Sequence, residues 1–249
     1  MAKYKSLFNV EGSIGELTFY KGENGYYIRN KGGVSKNRIL KDPAFARTRE
    51  NISEFGSTAK SGKQLRKAIS SILADAKDNR TSSRLTQVLA KVKNEDKTSA
   101  RGLRNVATGL DTEQGKFWLN GFNFNKRANL DSVLQTGYSL ETTTGEVTLF
   151  DFIPKQQLTI PDGATHVSLS SAFLNLDLKT DTKDLKISPT TNLPLNGISS
   201  TITLTPTEPP TGTGINFYFL KVAFFQEINT TQYPLNNGAF NALQIIQIS

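Results

Sequence analysis

From Leu130 onward the apolar residues come in short runs, each closed by Gly, Pro, Asn or Asp. No other feature restricts the second half of the chain so tightly. The runs fall at 133–140, 146–152, 156–160, 166–178, 185–187, 200–205, 215–225 and 242–248. Many short β-rich segments with recurring turn signals predict an antiparallel β-sandwich, jelly-roll-like in character. Within it, Val167-Ser168-Leu169-Ser170 and Ile202-Thr203-Leu204 alternate as half-buried strands do. Residues 217–225 are apolar on both faces, which predicts a central strand covered twice. Residues 188–214 are rich in Ser, Thr, Pro and Gly, and proline cannot donate to a ladder, so a long exposed loop is expected there. Asn236-Asn237-Gly238 after Pro234 marks a last turn before the terminal strand.

The first half is built differently. Residues 14–20 and 25–29 are rich in β-formers, and Asn24-Gly25 between them is a strong hairpin signal because both residues tolerate positive φ. Tyr4, Leu7, Phe8 and Val10 predict a short strand leading into this hairpin, or an arm that docks on another subunit. Lys31-Gly32-Gly33 releases the chain from the sheet. Asp42 and Pro43 predict a helix start, as cap and first residue. Phe45, Ile52, Phe55, Ala59, Ile69 and Ile72 recur at helical spacing and predict its buried face. Gly56 and Gly62 weaken the middle, marking a close crossing or a kink. A second helix is expected after Thr81 or Ser82, burying Leu85, Val88, Leu89 and Val92, with a short helical piece around Leu103 and Val106. Residues 115–124 read as a strand or a bridge between modules, with Trp118 packed at the junction or, alternatively, stacking a base.

Charge follows the same division. Residues 1–127 carry 25 Lys+Arg against 12 Asp+Glu; residues 128–249 carry 5 against 10. The net charge of +8 is therefore the sum of a strongly basic front and a mildly acidic back. The expected organisation is α+β: an N-terminal β-hairpin plus basic helices over 1–127, then the β-sandwich over 128–249. Arg29, Lys60, Lys63, Arg66, Lys67, Arg101 and Arg104 are the candidate residues for binding nucleic acid or an acidic partner. The stretch from Lys60 to Lys67 has no acidic neighbour, whereas Arg47, Arg49, Glu50 and Glu54 partly neutralise one another.

Motifs for chemistry are scarce. The chain has no cysteine, so disulfides and thiolate metal sites are excluded. His166 is the single histidine, and any Ser-His-Asp arrangement would have to use it; its setting in Gly163-Ala164-Thr165-His166-Val167 reads as a turn entering a strand. Gly56 to Lys63 fails as a phosphate loop: five residues separate the two glycines, and Gln64 stands where a magnesium-binding Ser or Thr is needed. Asp177, Asp181 and Asp184 lack the glycine and terminal glutamate of a calcium loop and read as a solvated turn. Asp131, Asp151 and Glu227 are available as paired carboxylates, but nothing in the sequence selects them. The N-terminus has no apolar signal core and no apolar run reaches the ~20 residues of a membrane span, so a cytoplasmic protein is expected, released, if at all, as part of an assembly.

Several segments resemble an uncharacterised protein family common in Bacteroidetes genomes. They are residues 12–21, Lys31-Gly32-Gly33-Val34, residues 42–51 with Glu54-Phe55-Gly56, Gly163-Ala164-Thr165-His166, residues 225–229 and residues 233–242. That family has no known activity, so the resemblance implies no catalytic residues and no cofactor. The opening hairpin is also loosely similar to hairpins in phage-encoded proteins. The function expected is therefore that of a non-enzymatic structural protein forming a homo-oligomeric assembly, virion-like or filamentous. The alternative is a cytoplasmic DNA- or RNA-binding protein using the basic half. A ligand-binding sandwich with loops around Thr190 and Pro209 is a third reading.

Overall fold

The computed structural model describes residues 2–4, 9–229 and 231–249. The side chains of Ala2, Tyr4, Asn236 and Asn237 lie outside the description, as do Leu7 and Phe8 of the expected first strand. The chain divides into two compact units, Met1–Glu50 and Asn51–Ser249.

In the first unit β1 (Ala2–Tyr4), β2 (Gly12–Ile14), β3 (Leu17–Gly22) and β4 (Gly25–Asn30) form an antiparallel sheet in the order β1-β4-β3-β2. The expected hairpin is present, but its two-residue loop is Glu23-Asn24, because Gly22 pairs with Gly25 and Gly25 takes the positive φ of 123°. The single strand expected over 14–20 is instead cut by a second tight turn. Gly15 adopts φ 55°, which a glycine reaches without a Cβ penalty, and the chain folds back so that Ile14 pairs with Leu17. The glycine-rich link leads into a helix that the sequence reading does not anticipate, α1 (Lys36–Lys41), capped by the Ser35 hydroxyl on the N–H of Arg38. Asp42 caps the next turn as expected, accepting from the N–H of Ala44 at 2.9 Å with Pro43 in first position. No described residue of Met1–Glu50 is buried.

The second unit takes in α2 (Ala46–Ala68) from Asn51 onward, then α3 (Ser70–Leu73), α4 (Thr81–Asn94), α5 (Val106–Leu110) and α6 (Glu113–Leu119). The buried side of α2 is not the apolar one expected. Glu54, Thr58, Ser61, Gly62, Gln64, Leu65 and Ala68 face inward, while Ile52 is 56% and Phe55 64% exposed. The polar inner face is satisfied in two ways: Thr58 and Ser61 return their hydroxyls to the carbonyls one turn back, and Glu54 is met by two cations from remote segments. Further on, Leu65, Ile69, Ile72 and Leu73 join the core, as do Leu85, Leu89 and Val92 of α4. Residues 115–124, expected as a strand or a bridge between modules, begin inside α6, which Thr112 caps through the N–H of Gly115, and end beside β13, where Asn123 bridges Gln244. Helix wins there because α6 stacks backbone against backbone. A Cβ on Gly115 would lie 1.9 Å from the Gly109 carbonyl oxygen, and one on Gly109 would lie 2.1 Å from that of Val92. Leu103 is an exposed turn residue, and the short helix starts at Val106.

Beyond them come α7 (Leu130–Val133), β5 (Ser139–Glu141), β6 (Glu146–Phe152), α8 (Pro154–Gln157), β7 (His166–Asp177), β8 (Thr182–Ile187), β9 (Thr191–Pro194), β10 (Ser200–Leu204), β11 (Ile215–Ile228), β12 (Thr231–Pro234) and β13 (Ala242–Ile248). The runs at 146–152 and 242–248 are strands with the expected bounds. Of the run at 133–140 only Val133 is helical, closing α7, and its last two residues open β5; of 156–160 only the first two residues are helical, closing α8. The two runs meet in a single bridge, Leu134 to Leu158, and 188–214 contains β9 besides β10. β11 and β7 pair over eleven positions at the heart of an antiparallel sheet, with β12, β13, β8 and β9 at their sides.

Alternation sends the two faces of that sheet into different cores. Leu174, Leu176, Phe217, Phe219, Leu243 and Ile245 meet the helices, while Val167, Leu169, Leu220, Val222 and Phe224 meet Val147, Leu149, Ile202 and Leu204 of the smaller β10-β6-β5 sheet. The doubly covered strand is thus β11. The fold is α+β with a large antiparallel sheet. The boundary expected between residues 127 and 128 falls inside this unit, because the helices before it and the strands after it share one core.

Candidate functional site

The end of α2 and the start of α4 enclose an open groove of about 620 Å³. Lys63, Arg66 and Lys67 line one side, Lys77 enters from the connecting segment, and Ser70 and Ser82 add hydroxyls. Helical spacing explains the first three, since residues three and four apart share a helix face. Lys77 sits in the break after α3, where the chain reverses and carries it back beside the helix it has just left. Arg66 is stretched across the groove: its Nε donates to the Gly62 carbonyl at 3.1 Å and its Nη1 to the Ser82 hydroxyl. Among the described residues no hydrogen bond or ion pair engages the ammonium groups of Lys63, Lys67 or Lys77.

One carboxylate, Asp78, also lines the groove, and its charge is already answered. Arg84 Nη2 donates to it at 2.6 Å, and the backbone N–H groups of Arg80 and Lys126 donate at 2.7 and 2.8 Å. Burial pushes its pKa up, but these donors together more than offset that and hold it below the usual carboxylate range. The groove therefore keeps an uncompensated positive field.

The other candidates lie elsewhere. Lys60 is exposed on α2, seven residues before Lys67 and outside the groove lining. Arg104 is a structural residue. Its Nε donates to Glu54 Oε1 at 2.9 Å and its Nη2 to Oε2 at 3.3 Å, beside Lys93 on Oε2 and the Gly102 N–H on Oε1 at 2.8 Å. Burial would raise the Glu54 pKa, but Lys93, Gly102 and Arg104 reverse this and bring it down to about 2. Arg101 is exposed in the turn that presents Gly102 to this node. Arg29 belongs to the first unit, where its guanidinium lies 5.6 Å from the centroid of the Tyr20 ring, which in turn stacks on Tyr27.

His166 is half-buried at the start of β7. Its ring stacks on Phe225, Nδ1 is 2.9 Å from the Thr165 hydroxyl, and Nε2 is 3.9 Å from Glu227. The Thr165 oxygen also accepts the Glu227 N–H at 2.8 Å, so the trio ties the entry of β7 to the end of β11. Asp177 and Asp184 serve as turn caps, for Lys179 and Thr180 and for Thr211. Trp118 is a helical residue, partly exposed, with Lys91 Nζ 4.6 Å from its ring centroid and Glu95 accepting its indole N–H. Among the described residues no cluster of three or more His, Cys, Asp or Glu is placed to hold a metal ion, and no helix is long and apolar enough to cross a membrane.

Sequence reasoning missed Lys77 and the two serines. The available signal was the position of Lys77 in a helix-breaking segment directly after the Lys60–Lys67 run. No family model, no curated protein and no solved structure matches the chain.

Proposed function

We propose that this is a non-enzymatic structural protein that assembles with copies of itself, the unit Met1–Glu50 of one copy meeting the carboxylate-rich surface of residues 128–249 of the next. The observation that carries this reading is the sheet β1-β4-β3-β2, in which no described residue is buried. A sheet stabilises itself by covering at least one face, and hairpins without such cover are marginal in water. This one leaves Ile14 64% exposed, and the helix after it leaves Leu40 56% exposed. Burying such side chains contributes roughly 1.5–3 kcal/mol each. Charge favours a second copy as the cover: residues 1–50 carry 10 Lys+Arg against 5 Asp+Glu, the inverse of the 5 against 10 in residues 128–249. A contact between two different patches is heterologous, and repeated it gives rings or filaments.

Sedimentation velocity of the full chain tests this. Concentration-dependent oligomers are expected at low salt, weakened at high salt by screening and by Ile14→Asp or Leu40→Asp. A chain that stays monomeric at high concentration and low salt ends the proposal.

A further inference from the structure

We propose that the groove between α2 and α4 binds the phosphate backbone of nucleic acid without reading its sequence. The inference stands apart from the assembly reading, since it concerns another surface and another partner.

Lys63, Arg66, Lys67 and Lys77 converge from two segments on one open groove, and the single carboxylate among its lining residues is neutralised by Arg84 and two backbone donors. Lys63, Lys67 and Lys77 are exposed, which leaves their long side chains free to follow a chain of charges. Lys60 extends the line about 10 Å up the helix from Lys67, at 1.5 Å per residue. Phosphate oxygens accept from ammonium, guanidinium and hydroxyl groups, and the groove offers all three.

The lining also says what is not recognised. It contains no aromatic side chain, so no base can stack there. An acidic peptide would seek an apolar anchor beside the cations, and the lining supplies only Leu73, itself buried in the core, and alanine. A single small phosphate would call for an enclosed site with buried donors; this groove is open. What remains is the phosphate backbone of a nucleic acid, bound through its repeating charge.

The test is fluorescence anisotropy of the full chain with a labelled duplex of about 20 base pairs, titrated between about 50 and 300 mM salt. Four phosphate contacts predict that log K falls against log salt with a slope of about −3 to −4. Duplexes of unrelated sequence should bind within about twofold, since no base is read. Lys63→Glu with Lys67→Glu, both exposed on α2, should lower the affinity at least tenfold at the lowest salt and flatten the slope by about 2. Lys155→Glu, one of the few cations of the acidic half, should leave binding unchanged. No binding at low salt, a flat salt response, an unaffected double variant, or poly-glutamate binding as tightly as DNA would each overturn the proposal.

Discussion

Glu54 shows how far a residue's surroundings depart from its type. A glutamate in the middle of a basic helix reads as a solvated charge, yet its side chain is 4% exposed and holds Lys93, Arg104 and the Gly102 N–H. Removing one member of a buried ion cluster strands the others and costs about 3–5 kcal/mol. Glu54→Ala should therefore lower the urea midpoint sharply at pH 7, whereas the surface pair of Lys116 and Glu113 can be broken by Glu113→Gln at a cost of less than about 1 kcal/mol. The pH dependence follows in sign. The folded pKa of Glu54 lies near 2 against an ordinary 4.5, so its contribution is complete above the unfolded value and is lost as pH falls from there toward 2. Asp96 adds to the same acid limb: burial raises its pKa, but the hydroxyl and N–H donors of Thr98, Ser99 and Asn105 hold it well below the carboxylate range. Urea unfolding measured from pH 6 to pH 2 should show stability falling through that window, and Glu54→Gln should flatten the fall. An unchanged acid limb in that variant would contradict the assignment.

At the scale of elements, glycines separate tolerated from forbidden substitutions. Gly109 and Gly115 permit α4, α5 and α6 to pack with their backbones in contact, and a methyl at Gly109 has nowhere to go. Gly109→Ala should destabilise by about 3 kcal/mol or more, through overpacking against the Val92 carbonyl. Gly56 is the opposite case: nothing lies within 4 Å of a Cβ there, so Gly56→Ala should stabilise α2 by about 1 kcal/mol through backbone entropy alone. Both values can be read from the same denaturation series. The two glycines of α2, Gly56 and Gly62, are thus not equivalent; only Gly62 meets another helix, where a Cβ would lie 3.3 Å from Leu89 Cδ1. Elements whose signals are local were legible in sequence: the Asp42-Pro43 start, the strand at Glu146–Phe152, the strand at Ala242–Ile248 and the hairpin around Asn24. The helix Glu113–Leu119 was not, because its aromatic residues favour strand and only contact with α5 decides for helix.

For the molecule as a whole, both hydrophobic cores lie within Asn51–Ser249. A fragment of residues 46–249 should therefore melt cooperatively and near the full chain by circular dichroism, yet sediment as a monomer if Met1–Glu50 mediates assembly. Residues 1–50 alone should show no cooperative melt. The sequence by itself determined the antiparallel β character of the second half, the Asp42 cap and the hairpin around Asn24 in the first, and the opposition of charge between them. Each of these is written in neighbouring residues, whose mutual distances the covalent chain already sets. Only the tertiary structure decided that α2 buries Glu54 and leaves Phe55 in solvent, that Arg104 is tied to Glu54 fifty residues away, and that Lys77 returns to Lys63 and Lys67. Hydropathy assigns every charge to water; a buried carboxylate becomes favourable only when remote donors arrive together, and their arrival is a property of packing.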